Sequence, residues 1–264
     1  MKLLTSIIVS FTLALSSVSA LSATTEKSYK PGTFKNIENH TFGSIKLNQQ
    51  DETSVSVIAD DELLEYLVVE LKDDTLVIRL KDKSVFSWRK SFKQNELKIS
   101  ISTPDIEGIY LNGSGDLDAS DIVSPVLTVG IHGSGDAHLG NVDTENLSIG
   151  IYGSGTVDAR NLASESAKFS IHGSGKMTFA SVVSSFNVIG IHGSGNFRSN
   201  LFEGKEMKVN IHGSGDIKMP DIDFQSIEGA IHGSGDITLG GKARTVNVRK
   251  HGSGNVNTSR LSNN

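Results

Sequence analysis

Ile171-His172-Gly173-Ser174-Gly175-Lys176-Met177-Thr178-Phe179 is followed twenty residues later by Ile191-His192-Gly193-Ser194-Gly195-Asn196-Phe197-Arg198-Ser199. The Gly-Ser-Gly triplet at its centre opens at Gly113, Gly133, Gly153, Gly173, Gly193, Gly213, Gly233 and Gly252. The spacing is 20 residues six times and then 19. A fixed period over more than half of a chain marks a repeat architecture. Around each triplet the apolar residues alternate: Leu127, Val129, Ile131, Ala137 and Leu139 share one parity, as do Phe169, Ile171, Met177 and Phe179. Period two is strand geometry, with alternate residues on opposite faces. A second apolar point recurs at Val142, Leu162, Val182 and Ile222, where the chain is expected to turn inward again.

Twenty residues are too few for a strand plus a crossover helix, which needs about 30. They suit one coil of a parallel β-solenoid, stacked at ~4.8 Å per coil, so that eight coils make a rod of roughly 38 Å. A four-bladed propeller with two periods per blade is the competing architecture. The expected fold is therefore all-β: a parallel β-helix of ~20-residue coils preceded by a β-rich N-terminal capping region. The expected division is 1–23 signal peptide, 24–103 β-rich region continuous with the solenoid, and 104–264 repeat with a polar C-terminal cap.

The triplet itself reads as a corner. A glycine inside a strand marks a bend or a close backbone approach, which assigns Gly133, Gly135, Gly173, Gly175, Gly213 and Gly215 to structure. The serine between them is expected outward, able to hydrogen-bond the serine of the next coil. No Gly-Lys-Ser/Thr and no helix pattern follows, so neither a phosphate loop nor a dinucleotide fingerprint is present. Calcium-binding nonapeptide repeats share the flavour of Gly233-Ser234-Gly235-Asp236, but Lys176 occupies the aspartate position in one coil.

His132, His172, His192, His212, His232 and His251 share one repeat position, interrupted by Tyr152. A structural ladder is the preferred reading. A metal-binding column through His172, His192, His212, His232 and His251 is the alternative. Phe86, Trp88, Arg89, Lys90 and Phe92 form an aromatic and basic loop, the candidate ligand-contact loop outside the repeat. No nucleophile–base–acid set stands out, so no catalytic residue and no cofactor is expected.

Residues 24–32 are polar and end in Pro31-Gly32, which reads as a loose leader. Asp60 to Leu67 suits a single helical turn, and Lys72-Asp73-Asp74-Thr75 a hairpin turn. Lys250 stands where other coils carry an aliphatic residue and starts the polar end of the rod.

The chain of 264 residues has a formal net charge of −5, the wrong sign for nucleic-acid binding, and no cysteine. Lys2, the apolar run Leu3 to Leu15, and Ala20 or Ala23 after small residues make an export signal, with no transmembrane span expected after its cleavage. The expected location is the periplasm of a bacterium, or outside it, secreted or at the cell surface.

The opening Phe34-Lys35-Asn36-Ile37, the strand Ser54-Val55-Ser56-Val57, the acidic turn Asp60-Asp61-Glu62-Leu63-Leu64 and the run Leu97-Lys98-Ile99-Ser100-Ile101 into Thr103-Pro104 lead into the Gly-Ser-Gly-Asp repeats. Together they resemble the bacterial head GIN domain family of auto-transporter adhesins. The resemblance implies a right-handed β-helix and an exported binding protein whose partner is an envelope glycan or protein. It carries no catalytic residues over. The expected function is a non-enzymatic, adhesin-like envelope binding or scaffold protein. The alternatives are a polysaccharide-acting β-helix enzyme and a metal- or pH-responsive protein using the histidine column.

Overall fold

The computed structural model describes residues 24–81 and 97–262. Three-quarters of the chain is strand, wound into a β-solenoid of about eight turns. The regular part runs from β10 (Ile122–Ile131) through β11 (Ala137–Gly153), β12 (Thr156–Gly173), β13 (Lys176–Gly193), β14 (Asn196–Gly213), β15 (Ile217–Gly233) and β16 (Ile237–His251) to β17 (Val256–Ser262). Each pairs in parallel with the next at an offset of one period, as in Leu162↔Val182 and Val182↔Phe202.

Three breaks interrupt each coil. One is the Gly-Ser-Gly corner, where β12 ends at Gly173 and β13 begins at Lys176. The other two fall where the inward parity slips: between Ala159 and Leu162, and again before Ala167. The ladder skips Arg160 and Glu165 at those points. The coil thus has three sides, and the apolar point at Val142, Leu162, Val182 and Ile222 is the first inward residue of the second side. The third break follows a register column of small residues, Ser124, Thr144, Ser164 and Ser184 with Gly204 one period later, and Ser124 Oγ and Thr144 Oγ1 donate to the carbonyls of Val126 and Asn146 across it.

The inward residues form columns with almost no exposure: Leu127, Val129 and Ile131 are at 0 %, and Ile149, Ile151 and Val157 likewise. The middle of the rod is aromatic rather than aliphatic. Phe169, Phe179, Phe197, Phe202 and Phe224 meet in tilted and edge-on contacts with ring centroids 5.2–6.2 Å apart. Such contacts add about 0.5–1.5 kcal/mol per pair beyond burial.

The N-terminal part is stacked out of sequence order. β2 (Asn36–Asn39) and β3 (Ser44–Gln49) form a coil that pairs in parallel with β8 (Gly108–Leu111) and β9 (Leu117–Ala119) on one side. On the other side they pair with β6 (Thr75–Leu80) and β7 (Lys98–Thr103), which come later in the chain. Beyond β6 and β7 the direction reverses. β4 (Ser54–Asp60) and β5 (Leu67–Lys72), joined by the single turn α1 (Asp61–Tyr66), pair antiparallel with β7 and β6. Leu63 and Leu64 of α1 are buried and help to close the core. The hairpin turn falls where expected, with Lys72 opposite Thr75. The leader is not loose: β1 (Thr24–Tyr29) pairs antiparallel with β4 along its full length. Its side chains from Thr24 to Ser28 are polar and exposed, Tyr29 is half-buried against the core, and its backbone satisfies the otherwise open edge of β4.

At the opposite end β17 covers only Ile237 to Lys242 of β16. The stretch 243–251 pairs on one side alone, with β15. Lys250 lies there in the inward column opposite Ile231 and is exposed. A charge at an inward position of an edge strand opposes end-to-end pairing.

Candidate ligand-binding face

The corner organises everything that flanks it. From Ser134 to Ser234 the backbone amide of the triplet serine donates to the carbonyl of the first triplet glycine one coil before, as in Ser174 to Gly153 at 3.1 Å and Ser194 to Gly173, Ser214 to Gly193 and Ser234 to Gly213 at 2.9 Å; in the last triplet the Gly254 amide takes the Gly233 carbonyl. The coil-to-coil bond is therefore made by the serine backbone. That carbonyl occupies the space a side chain would need, so a Cβ on Gly173 or Gly213 meets the oxygen of Gly153 or Gly193. Gly173, Gly193, Gly213, Gly233 and Gly252 also have φ between +127° and +142°. Gly133 lacks positive φ, and close approach alone excludes a side chain there.

The residue after each triplet is equally structural. Asp116 Oδ1 accepts the amide of Asp136, Asp136 Oδ1 that of Thr156, Asp216 Oδ1 that of Asp236, and Asp236 Oδ1 that of Asn255, at 2.7–2.9 Å. Asn196 Oδ1 serves Asp216 at 3.2 Å. Thr156 and Lys176 cannot offer this short acceptor. In the coils that follow them the amides of Lys176 and Asn196 turn to the carbonyls of Gly155 and Gly175. The aspartate of Gly-Ser-Gly-Asp is thus a surrogate backbone carbonyl. Among the described residues no group of three acidic or histidine side chains is arranged to hold a metal ion.

The residue before each triplet builds an outward column of rings. His132, Tyr152, His172, His192, His212, His232 and His251 stack with centroids 4.7–5.0 Å apart and interplanar angles of 1–13°. Tyr152 does not interrupt the column; it is one of its rings. The six spacings carry the stack over about 29 Å. All seven residues are exposed. Their faces cover one another, so what the column presents is a line of ring edges, with imidazole N and C–H groups. Two nitrogens on one zinc lie at most about 4.2 Å apart. Parallel neighbours at 4.7–5.0 Å exceed that span without ring rotation.

Two positions earlier the residues from Gly130 to Ala230 are small in every coil but one: Gly130, Gly150, Ser170, Gly190, Asn210 and Ala230. A Cβ on Gly150 would lie 3.0 Å from Tyr152 Cε2, so that ring leans over the glycine. Ring edges and small residues together make a shallow, regular strip along the third side of the rod. The strip extends beyond the repeats legible in sequence. In register before His132 come Asn112 and His40, whose side chains approach at 3.4 Å, and His40 also contacts Glu38 at 3.1 Å. His40 escapes a motif search because Thr41-Phe42-Gly43 replaces Gly-Ser-Gly there. Thr41 and Asn39 hold that corner through side-chain hydrogen bonds, Thr41 Oγ1 to Asn39 Oδ1 at 2.7 Å and Asn39 Nδ2 to the Gly43 carbonyl at 2.8 Å. Phe86, Trp88, Arg89, Lys90 and Phe92, the candidate contact loop, lie outside the described residues.

The family described as "Putative auto-transporter adhesin, head GIN domain" matches residues 33–156 and 180–264. The chain belongs to this head GIN family. No curated protein matches it. Among solved structures it resembles a putative lipid binding protein from Parabacteroides distasonis ATCC 8503, at TM-score 0.75 and 21 % identity over 89 % of this chain and 96 % of that one. It also resembles a putative adhesin from the same organism, at TM-score 0.69 and 17 % identity over 90 % and 97 %. A third is a putative adhesin from Bacteroides fragilis NCTC 9343, at TM-score 0.58 and 22 % identity over 89 % and 97 %. At these identities the likeness is one of fold.

Proposed function

We propose that this head GIN protein is an exported, non-enzymatic binding protein with an adhesin-like role at the bacterial cell envelope. The observation that carries the reading is the ring strip. It is exposed and flat, and repeats every 4.7–5.0 Å. A surface of that kind offers the same contact many times along a line. It suits an extended polymer, a glycan chain or an extended polypeptide, better than a single small molecule. The names of the family and of two similar structures, all adhesins, support the same reading. The aromatic and aliphatic core is filled by side chains, which favours a ligand held on the surface over one held inside.

Export rests on the leader at residues 1–23, which lies outside the described residues. Thr24 already pairs with Asp60, so cleavage after Ala23 leaves the whole of β1 in the mature protein. Among the described residues no helix is long and apolar enough to cross a membrane.

The test uses the mature chain immobilised and exposed to envelope fractions, beside a variant carrying His172→Ser, His192→Ser and His212→Ser. The expected result is capture by the native chain, and loss of capture by the variant with an unchanged circular-dichroism spectrum. Equal capture by both would remove the strip from the binding role. Cell fractionation checks export; full-length, uncleaved protein in the cytoplasm would overturn that part.

A further inference from the structure

The first side of the rod, across the corner from the ring strip, carries a cluster that the repeat does not explain. Along one outward column Lys46, Asp118, His138, Asp158 and Thr178 occupy successive coils. His138 lies between two carboxylates, and its Nδ1 is 2.6 Å from Asp158 Oδ1. At the adjoining corner the register runs Ser120, Gly140, Arg160, Ala180. Gly140 and Ala180 leave the space between these columns open, and a groove of about 710 Å³ results. That volume falls within the usual range of small-ligand sites.

The groove is built rather than left over. Asp121 at its rim accepts the amide of Asn141 at 2.8 Å and its Nδ2 at 3.0 Å, and these two bonds, helped by the Arg160 charge, hold its carboxyl below the usual carboxylate range. A Cβ on Gly140 would lie 2.5 Å from Asp121 Oδ1, so the open floor and the anchored carboxylate require each other. Asp121 and Asp158 are thus engaged within the protein. Asp118 and Arg160 form no hydrogen bond or ion pair among the described residues and face solvent. In the neutral ring with Nδ1–H donated to Asp158, the second nitrogen of His138 is an acceptor.

We infer that this groove is a binding site for a neutral, hydroxyl-rich saccharide. The free groups on offer are a carboxylate, an imidazole acceptor and a guanidinium donor, on neighbouring coils. A ligand that meets all three must donate and accept within a few ångströms, which a pair of vicinal hydroxyls does, since each hydroxyl does both. An anionic ligand would meet Asp118, Asp121 and Asp158 against the single Arg160. A polyamine would meet Arg160 in the wall, with Lys46 beside Asp118. No three acidic or histidine groups converge as metal ligands among the described residues. The site is independent of the ring strip and of the polymer reading attached to it.

The test is nuclear magnetic resonance titration of the mature chain with neutral hexo-oligosaccharides, an oligogalacturonate and spermidine. The expected result is saturable binding of at least one neutral oligosaccharide, with shifts confined to residues around Asp118, His138 and Arg160. Asp118→Ala and Arg160→Ala should each weaken it at least about tenfold, one to two lost charge-assisted hydrogen bonds. Ala180→Gln, at an exposed position, should fill the groove and abolish binding while the amide spectrum stays folded. Lys218→Ala, in the same column three coils from Asp158, should bind as the native chain does. Tighter binding of oligogalacturonate or spermidine overturns the ligand class. Shifts elsewhere, or no binding across the neutral panel at millimolar concentration, overturn the site.

Discussion

The two halves of this rod use one coil geometry and opposite kinds of connection. From β10 to β17 each coil lies on the coil made one period earlier, so every contact between coils is about twenty residues long in sequence. Between Asn36 and Leu111 the coil formed by β6 and β7 lies outside the one formed by β2 and β3, which the chain makes first. The antiparallel β4, β5 and β1 then close that end. A parallel stack cannot end itself, because its last coil always leaves a row of unpaired backbone groups. Reversal of direction ends it at β4 and β5. At the other end Lys250 guards an edge that β17 covers only in part.

The sharpest way to break this comparison is to delete the same length from each half. Excising Ser134–Gly153 joins Gly133 to Ser154 and restores the motif, with the coil before it meeting the coil after it in register. The expected product is a shorter rod that unfolds cooperatively at a slightly lower urea midpoint, because a solenoid's stability is close to a sum over neighbouring coils. Excising Asp61–Leu80 removes α1, β5 and β6, and is expected to give a chain without cooperative unfolding. Two deletions of equal effect would show that the halves do not differ in the way their topology indicates.

That difference also governs what could be read in the sequence. The repeat half is legible because stacking imposes the same demand on each coil: an inward Ile131, Ile151, Ile171, a corner with no room for Cβ, an outward ring. The swapped order of the first coils is not legible, because β2 bonds to β6 and β8 over different loop lengths and nothing local at Asn36 states which. The corner before Ala167 is easily overlooked because its signal is weak: Ser124, Thr144, Ser164 and Ser184 recur there, but serine and threonine are common residues and Gly204 is the one glycine in that column. For the sites, the ring column was legible apart from Tyr152, which looks like an interruption as a letter but acts as one more flat ring. The groove was hidden because it depends on residues from four coils, Asp118, His138, Arg160 and Ala180, none unusual alone.

The corners provide a finer comparison. At the first triplet position Gly213 has φ +134° and the Gly193 carbonyl where a Cβ would stand, whereas the matching corner of the first coil carries Thr41. Gly213→Thr combines backbone strain with a backbone clash and is expected to cost at least about 3 kcal/mol in urea unfolding. Thr41→Gly removes the bonds of Thr41 Oγ1 to Asn39 Oδ1 and from the Gly43 amide, and is expected to cost about 1–2 kcal/mol. If the threonine were tolerated at 213, the glycine at that position would not be a steric requirement.

The Asp ladder should yield less. Asp216→Ala takes the acceptor from the Asp236 amide, but the Gly215 carbonyl offers the arrangement already used by Lys176 and Asn196. The expected loss is about 0.5–1 kcal/mol, and Asp216→Asn should be near neutral. A loss of several kcal/mol would mean that the corner cannot be rewired in this way.

The smallest effect concerns acid, and it separates the capping strands from the rod by mechanism. Glu70 in β5 is held below the usual carboxylate range by hydrogen bonds from Lys72 and Arg79, with their charges adding to the effect. Asp121 is held low chiefly by the amide and side chain of Asn141, neutral donors on the next coil. In both cases the carboxylate releases its proton more readily in the folded chain than in the unfolded one. Each therefore contributes stability that is fully present above the unfolded values, 4.5 for Glu70 and 3.8 for Asp121, and that fades as pH falls through the lower folded value. Glu70→Gln and Asp121→Asn should each flatten the acid limb of the melting curve by lowering stability slightly at neutral pH and leaving acid pH almost unchanged. Salt distinguishes them: ion pairs at the surface are screened, whereas hydrogen bonds from neutral donors are affected less. Raising ionic strength should erase the difference between native and Glu70→Gln chains and preserve that between native and Asp121→Asn. Equal salt sensitivity in the two would mean that Arg160, rather than Asn141, holds the Asp121 carboxylate.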